Sequence, residues 1–169
     1  HDVSEAFTVG QGARIGGVQQ KWFVARKERT TGDIWVCPGS DHQALYFESL
    51  VADHRTFQWI SDAGTGSHDT WLARLRDPRG VQVFCRTRYR QGLAEATAWL
   101  QEVEGEEVLH LRFAEPMRAV APGQTLALYV PARALESAAG VPLEHATGEA
   151  WVCLGGGNIV SAAGLRQDG

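Results

Sequence analysis

Along most of this chain apolar residues alternate with polar ones in short runs, and each run is closed by Gly, Pro, Asp or Asn. Residues 21–25 (KWFVA) and 33–37 (DIWVC) are two such runs, and Thr30-Thr31-Gly32 between them predicts a β-hairpin. Residues 49–52 and 56–60 read as further short strands, whereas 62–80, with Gly64, Gly66 and Pro78, reads as a long loop. Then follow VQVFCRTRYR, VLHLRF, TLALYV and AWVCL, each bounded by turn residues. Short strands at this spacing predict a small β-barrel or sandwich. One run fits two periods. In 93–104 (LAEATAWLQEVE) Leu93, Ala96, Leu100 and Val103 approach a helical spacing, while Ala94, Ala96, Ala98 and Leu100 alternate as in a strand.

The end of VFCRTRYRQ carries the most unusual polar pattern. Side chains two apart on a strand share a face and repeat at about 6.7 Å. A strand through this segment would set Arg86, Arg88 and Arg90 in a row on one side, with Thr87 and Tyr89 on the other. Charges of this kind also discourage edge-to-edge pairing of exposed strands. Lysine usually serves that end, however, and the guanidinium fork suits phosphate better. Tyr89 adds a ring on which an unpaired base could stack.

Composition limits how far that reading extends. The 169 residues are 44% hydrophobic and 21% charged, ordinary for a globular protein of one domain or two small ones. A formal charge of -4 argues against a polybasic nucleic-acid binder. The charge is unevenly placed, though: Arg74, Arg76, Arg79, Arg86, Arg88 and Arg90 face only Asp77, and acid gathers downstream at Glu102, Glu104, Glu106 and Glu107. Cys37, Cys85 and Cys153 are odd in number and far apart, which points to reduced, inert thiols in a reducing compartment. No histidine or cysteine pair has metal-ligand spacing. No apolar run approaches the ~20 residues that span a bilayer, so no membrane partner is expected. A chain beginning at His1 reads as a fragment or a processed product.

Two glycine-rich stretches invite a ligand reading. TVGQGARIGG (8–17) has Ile15 where a dinucleotide fingerprint needs its third glycine, and no P-loop lysine follows. It is either a flexible loop or one whose backbone approaches a ligand, with Gln11 and Arg14 as polar contacts. VCLGGGNIV (152–160) opens no helix, so anion capture at a helix N-terminus is unsupported, and a tight turn or bulge joining two barrel strands is the reading preferred. There is no Gly-x-Ser-x-Gly elbow, and no acid or histidine lies beside a cysteine. Independent catalysis is therefore not expected.

FTVGQGARIGG, DHQALYFESLVA, CRTRYRQ, FAEPMRAVAPGQ and GEAWVCLGGGNIV, taken in order, resemble the C-terminal half of the tRNA-specific 2-thiouridylases of bacteria and mitochondria. The resemblance spans nearly the whole chain. It implies a mainly β protein, with a small β-rich central domain at 1–52 and a six-stranded antiparallel β-barrel at 53–165, like the second domain of translation elongation factors. Residues 62–79 and 131–147 look like insertions. For 93–104 the resemblance favours the strand. In the family, an N-terminal domain uses ATP with magnesium to adenylate C2 of the wobble uridine and delivers sulfur from a cysteine persulfide. Its Ser-Gly-Gly-x-Asp-Ser loop does not occur here, and none of the three cysteines matches a catalytic one.

The resemblance therefore assigns this chain no catalytic residue, metal or cofactor of its own. It implies tRNA as partner, together with the ATP-binding catalytic domain and a sulfur-relay protein. The family's tRNA-contacting Arg-Tyr pair falls on Arg88 and Tyr89, flanked by Arg86 and Arg90, and the glutamine of its Pro-Gly-Gln motif falls on Gln124. Gln11 and Arg14 fall in the loop that approaches the target base. There are departures: Gly12 stands where the family has arginine, and a strand cysteine falls on Val83. The wording ARIGG resembles mitochondrial members, so an organelle or the bacterial cytoplasm is expected. The alternative is a barrel that docks a catalytic domain or sulfur-relay partner without binding RNA, using the 131–147 insertion.

Overall fold

A computed structural model describes residues 7–17, 19–28, 30–60, 68–132 and 150–165. Strands β1 (Gly12–Ala13), β2 (Trp22–Lys27) and β3 (Ile34–Pro38) form a three-stranded antiparallel sheet in chain order, with the hairpin between β2 and β3 where the turn residues place it. A short 3-10 turn, Gln43–Leu45, follows, and the His42 imidazole accepts a hydrogen bond from the Ala44 amide at 3.1 Å.

The larger sheet closes on itself. It consists of β4 (Tyr46–Asp53), β5 (Gln58–Trp59), β6 (Val81–Arg86), β7 (Ala94–Val103), β8 (Glu106–Arg118), β9 (Thr125–Pro131) and β10 (Trp151–Gly164). Hydrogen bonds run β4-β8-β7-β6-β9-β10 and return from β10 to β4, a closed six-stranded antiparallel barrel. The two-residue β5 continues the β4 edge along β10 after the 3-10 turn His54–Thr56. Alternation then does what a barrel demands. Val83 and Cys85, Ala96 and Ala98, Leu109 and Leu111, and Leu126 and Leu128 point inward and are buried.

Residues 94–103 form a strand. β6 pairs with residues 94–98 of β7 on one edge and β8 with residues 96–103 on the other, so helix propensity yields to tertiary pairing. Glu104 and Gly105 turn the chain into β8, both at positive φ (52° and 83°) as a two-residue hairpin loop needs.

Three expectations change. The loop expected at 62–80 contains a helix, α1 (His68–Leu75), whose Trp71, Leu72 and Leu75 are buried in the barrel core. The Arg74 guanidinium lies over the Trp71 ring at 4.6 Å, and Arg76 binds Glu107 at 2.7 and 2.9 Å. Second, of the turn or bulge expected at 155–157 to join two strands, the structure has the bulge but no junction: the glycines lie inside the continuous β10, with a register shift between Cys153 and Gly155. Gly155 has φ 148°, and Phe57 packs where Cβ atoms of Gly155 and Gly157 would stand. Third, β4 falls within the segment assigned to the central domain, yet its hydrogen bonds lie in the barrel. Of the expected insertion at 131–147, residues 133–147 lie outside the described residues.

Candidate nucleic-acid interface

The arginine row does not form as a strand. β6 keeps its pairing with β9 only as far as Arg86 opposite Ala127. Beyond it, the Gln91 carboxamide oxygen accepts from the Thr87 amide at 3.2 Å and from the Thr87 hydroxyl at 3.1 Å, and the Gln91 amide donates to the Arg88 carbonyl at 3.3 Å. A side chain thereby replaces the ladder and turns the chain. Thr87 is buried and its hydroxyl also lies 3.5 Å from the Met117 sulfur. Arg86, Arg88 and Arg90 thus occupy a strand end and a turn instead of one strand face.

Arg88 points back into the protein. Its Nη2 donates to the carbonyls of Ala119 and, at 3.4 Å, Arg118. Burial, and secondarily the nearby Arg118 charge, hold the Arg88 guanidinium below its ordinary pKa. Ala119 is itself unusual, fully buried with φ 57°. Its amide donates to the Leu45 carbonyl at 2.6 Å, and its methyl fills the place where Gly10, at φ 82°, lacks a Cβ. Four segments therefore meet at Ala119: the turn after β6, the end of β8, the glycine-rich loop and the 3-10 turn that ends at Leu45.

The remaining expected residues distribute around this point. Gln11 closes the loop by accepting from the Thr8 amide at 3.0 Å. Gln124 has the same role in the turn that follows Ala119: its Oε1 accepts from the Ala121 amide at 3.1 Å. Tyr89 is 92% exposed and Arg90 is exposed. Arg86 sits with its guanidinium 5.6 Å from the centre of the Tyr129 ring. Arg14 is exposed past β1 and makes no hydrogen bond or ion pair among the described residues; it is not brought to the cluster.

Arg118 is the residue that sequence reasoning did not single out, although it stands in the FAEPMRAVAPGQ motif. Its Nε donates to the Ser40 carbonyl at 2.9 Å and its guanidinium lies 5.6 Å from the Phe23 ring, so it fastens the barrel to the three-stranded sheet. Arg88, Arg90, Gln91 and Arg118 line a concavity of about 350 Å³ that has no carboxylate among its lining residues. Three guanidinium groups around an acid-free hollow make a site for an anion.

Comparison with known proteins agrees with this architecture. Residues 61–139 match the aminomethyltransferase beta-barrel domain. That match takes in α1 and β6 to β9, while β4 and β10, which close the barrel, lie on either side of it. The chain is 34% identical over 155 residues to a tRNA-specific 2-thiouridylase of Neisseria meningitidis, covering 90% of this chain and 32% of that protein. It is 30% identical over 161 residues to the corresponding protein of Listeria monocytogenes, covering 94% of this chain and 34% of that protein. It spans about a third of the length of these relatives. A closed six-stranded barrel, the matched domain and an alignment over nine-tenths of its length together match the chain to a C-terminal portion of the tRNA-specific 2-thiouridylases.

Proposed function

We propose that this chain is the tRNA-holding portion of an ATP-dependent 2-thiouridylase that thiolates C2 of a wobble uridine. The observation that carries the reading is the acid-free hollow of Arg88, Arg90 and Arg118, with the exposed Tyr89 ring beside it. Guanidinium groups bind backbone phosphates by charge and fork geometry, and an exposed ring stacks an unstacked base. ATP with magnesium and a persulfide sulfur donor would serve a catalytic domain outside this chain, with a sulfur-relay protein as a further partner. The chain's own role would be to bind and orient the tRNA.

The test is equilibrium binding of the 169-residue chain to tRNA across a salt series. Affinity should fall steeply with salt as counterions are released. Tyr89→Ala should weaken binding by roughly 1–3 kcal/mol, and Arg90→Ala should flatten the salt slope. A folded chain with no tRNA affinity at low salt overturns the proposal. Recovery of a sulfur carrier without RNA from a pull-down would favour the protein-docking alternative.

A further inference from the structure

The outer wall of β6, β9 and β10 is unusual for the solvent side of a barrel. Outward positions of a small barrel are ordinarily polar, yet here Phe84 pairs with Tyr129, and Tyr129 pairs with Cys153, all on one outer row. Trp151 lies on the same face, its ring 4.4 Å from Phe84 at 63°. Arg86, one step along β6, pairs with the small Ala127 and lays its guanidinium over Tyr129. All four of Phe84, Arg86, Tyr129 and Trp151 are half-buried, with surface still open. The Arg86 Nε is enclosed and has no hydrogen-bond partner among the described residues, nor does Arg86 make an ion pair there. The enclosed Nε is out of reach of an outside acceptor, but the stacked guanidinium has no ion pair and its side chain is only half-buried, so its terminal nitrogens can take an acceptor from outside.

We propose that this strip, from Trp151 through Phe84 and Tyr129 to Arg86, is a second RNA contact that stacks an unpaired nucleotide and takes its phosphate on Arg86. It rests on the tRNA-holding reading and extends it, because the strip runs without a break into the turn that carries Tyr89 and Arg90. Two features favour RNA over a protein groove. The rings are interleaved with a cation lacking a carboxylate partner, and barrel strands bearing aromatic rings are a recurring platform for single-stranded nucleic acid. The tRNA would then be gripped along a path from the arginine hollow across the barrel wall, with the two contacts on successive nucleotides.

The experiment uses the full chain with a short oligouridylate carrying 4-thiouridine, cross-linked by near-ultraviolet light and mapped by mass spectrometry. Adducts on the peptides holding Tyr129 or Trp151, besides that of Tyr89, are expected. Tyr129→Leu and Arg86→Gln should each lower oligouridylate affinity roughly tenfold, while Tyr129→Phe keeps it; thermal midpoints confirm that the variants fold. Adducts confined to the Tyr89 turn, or affinity that falls in Tyr89→Ala but not in Tyr129→Leu and Arg86→Gln, overturn the second contact and leave the first standing. No binding of tRNA or oligouridylate by the folded wild-type chain overturns both.

Discussion

Arg88 and Tyr89 are neighbours in sequence with opposite tasks. Tyr89 is free to meet a ligand, whereas the Arg88 Nη2 is already engaged by two carbonyls of its own chain. Those bonds hold Ala119 in a left-handed conformation that an alanine adopts at a cost of about 1 kcal/mol. Charged hydrogen bonds of this kind are worth about 1.5–3 kcal/mol each. Arg88→Met should therefore lower unfolding free energy by roughly 2 kcal/mol or more in a urea titration, with Arg88→Lys recovering some of it. A binding defect in Arg88→Met without a stability loss would contradict this role. The sequence marks Arg88 as important but not why, because the reason lies in a carbonyl thirty-one residues away. Gln124 and Gln11 show the same limit: both polar side chains cap turns in their own loops.

Among the elements, strands with alternating patterns are legible in the sequence and the exceptions have physical causes. The hairpin of β2 and β3 needs only its turn residues. The run at 94–103 carries both periods, and the occupied edges of β6 and β8 decide it. α1 is hidden because Gly64, Gly66 and Pro78 outweigh the buried trio Trp71, Leu72 and Leu75, whose i, i+1, i+4 spacing is the helical signal. The arginine row keeps its alternation through Arg90, but pattern alone does not reveal that Gln91 takes the Thr87 donors. The glycines of β10 have the composition of a turn; they are a bulge in a single strand, made small so that Phe57 can lie against it. At Gly155 a Cβ would meet the Gln58 carbonyl, a backbone atom that has no rotamer to change. Gly155→Ala should cost roughly 2 kcal/mol or more of stability, measured by urea unfolding. Gly16→Ala, with no atom within 4 Å of the added methyl, should be near neutral.

At the scale of the whole molecule, one end of the barrel is laced by charge. Glu107 at the start of β8 meets Arg76 beyond α1 and His54 at 3.9 Å, while Arg55 reaches Asp53 at 3.3 Å and Glu106 at 3.6 Å. The hydrogen bond from Arg76 holds the Glu107 carboxyl below its ordinary 4.5, and the bond from Arg79 takes Asp77 from 3.8 to about 2. A carboxylate with a depressed folded pKa contributes stability above its unfolded value, and that stability is lost as pH falls through the folded one. The urea midpoint should therefore decline below about pH 4.5 and on toward pH 2, and Glu107→Gln should make the decline shallower at low salt. An unchanged profile in that variant would remove Glu107 from the account.

Closure of the barrel through β4 sets the timing of folding. Ala52 must find Ile159, and Leu50 must find Leu111, before β4 has a neighbour on either edge. The early hairpin of β2 and β3 is made from nearby residues and can form as soon as it is made. β4, which follows it at once, must instead wait for β8 to cover one edge and, for the other, until nearly all the rest of the chain has been made. Pairings over such separations are slow because loop entropy is lost before contacts repay it. During synthesis this leucine-bearing strand thus has no neighbour until β8 is made and keeps one edge open until β10 arrives, which makes this interval the one in which a nascent chain most needs shielding from its neighbours.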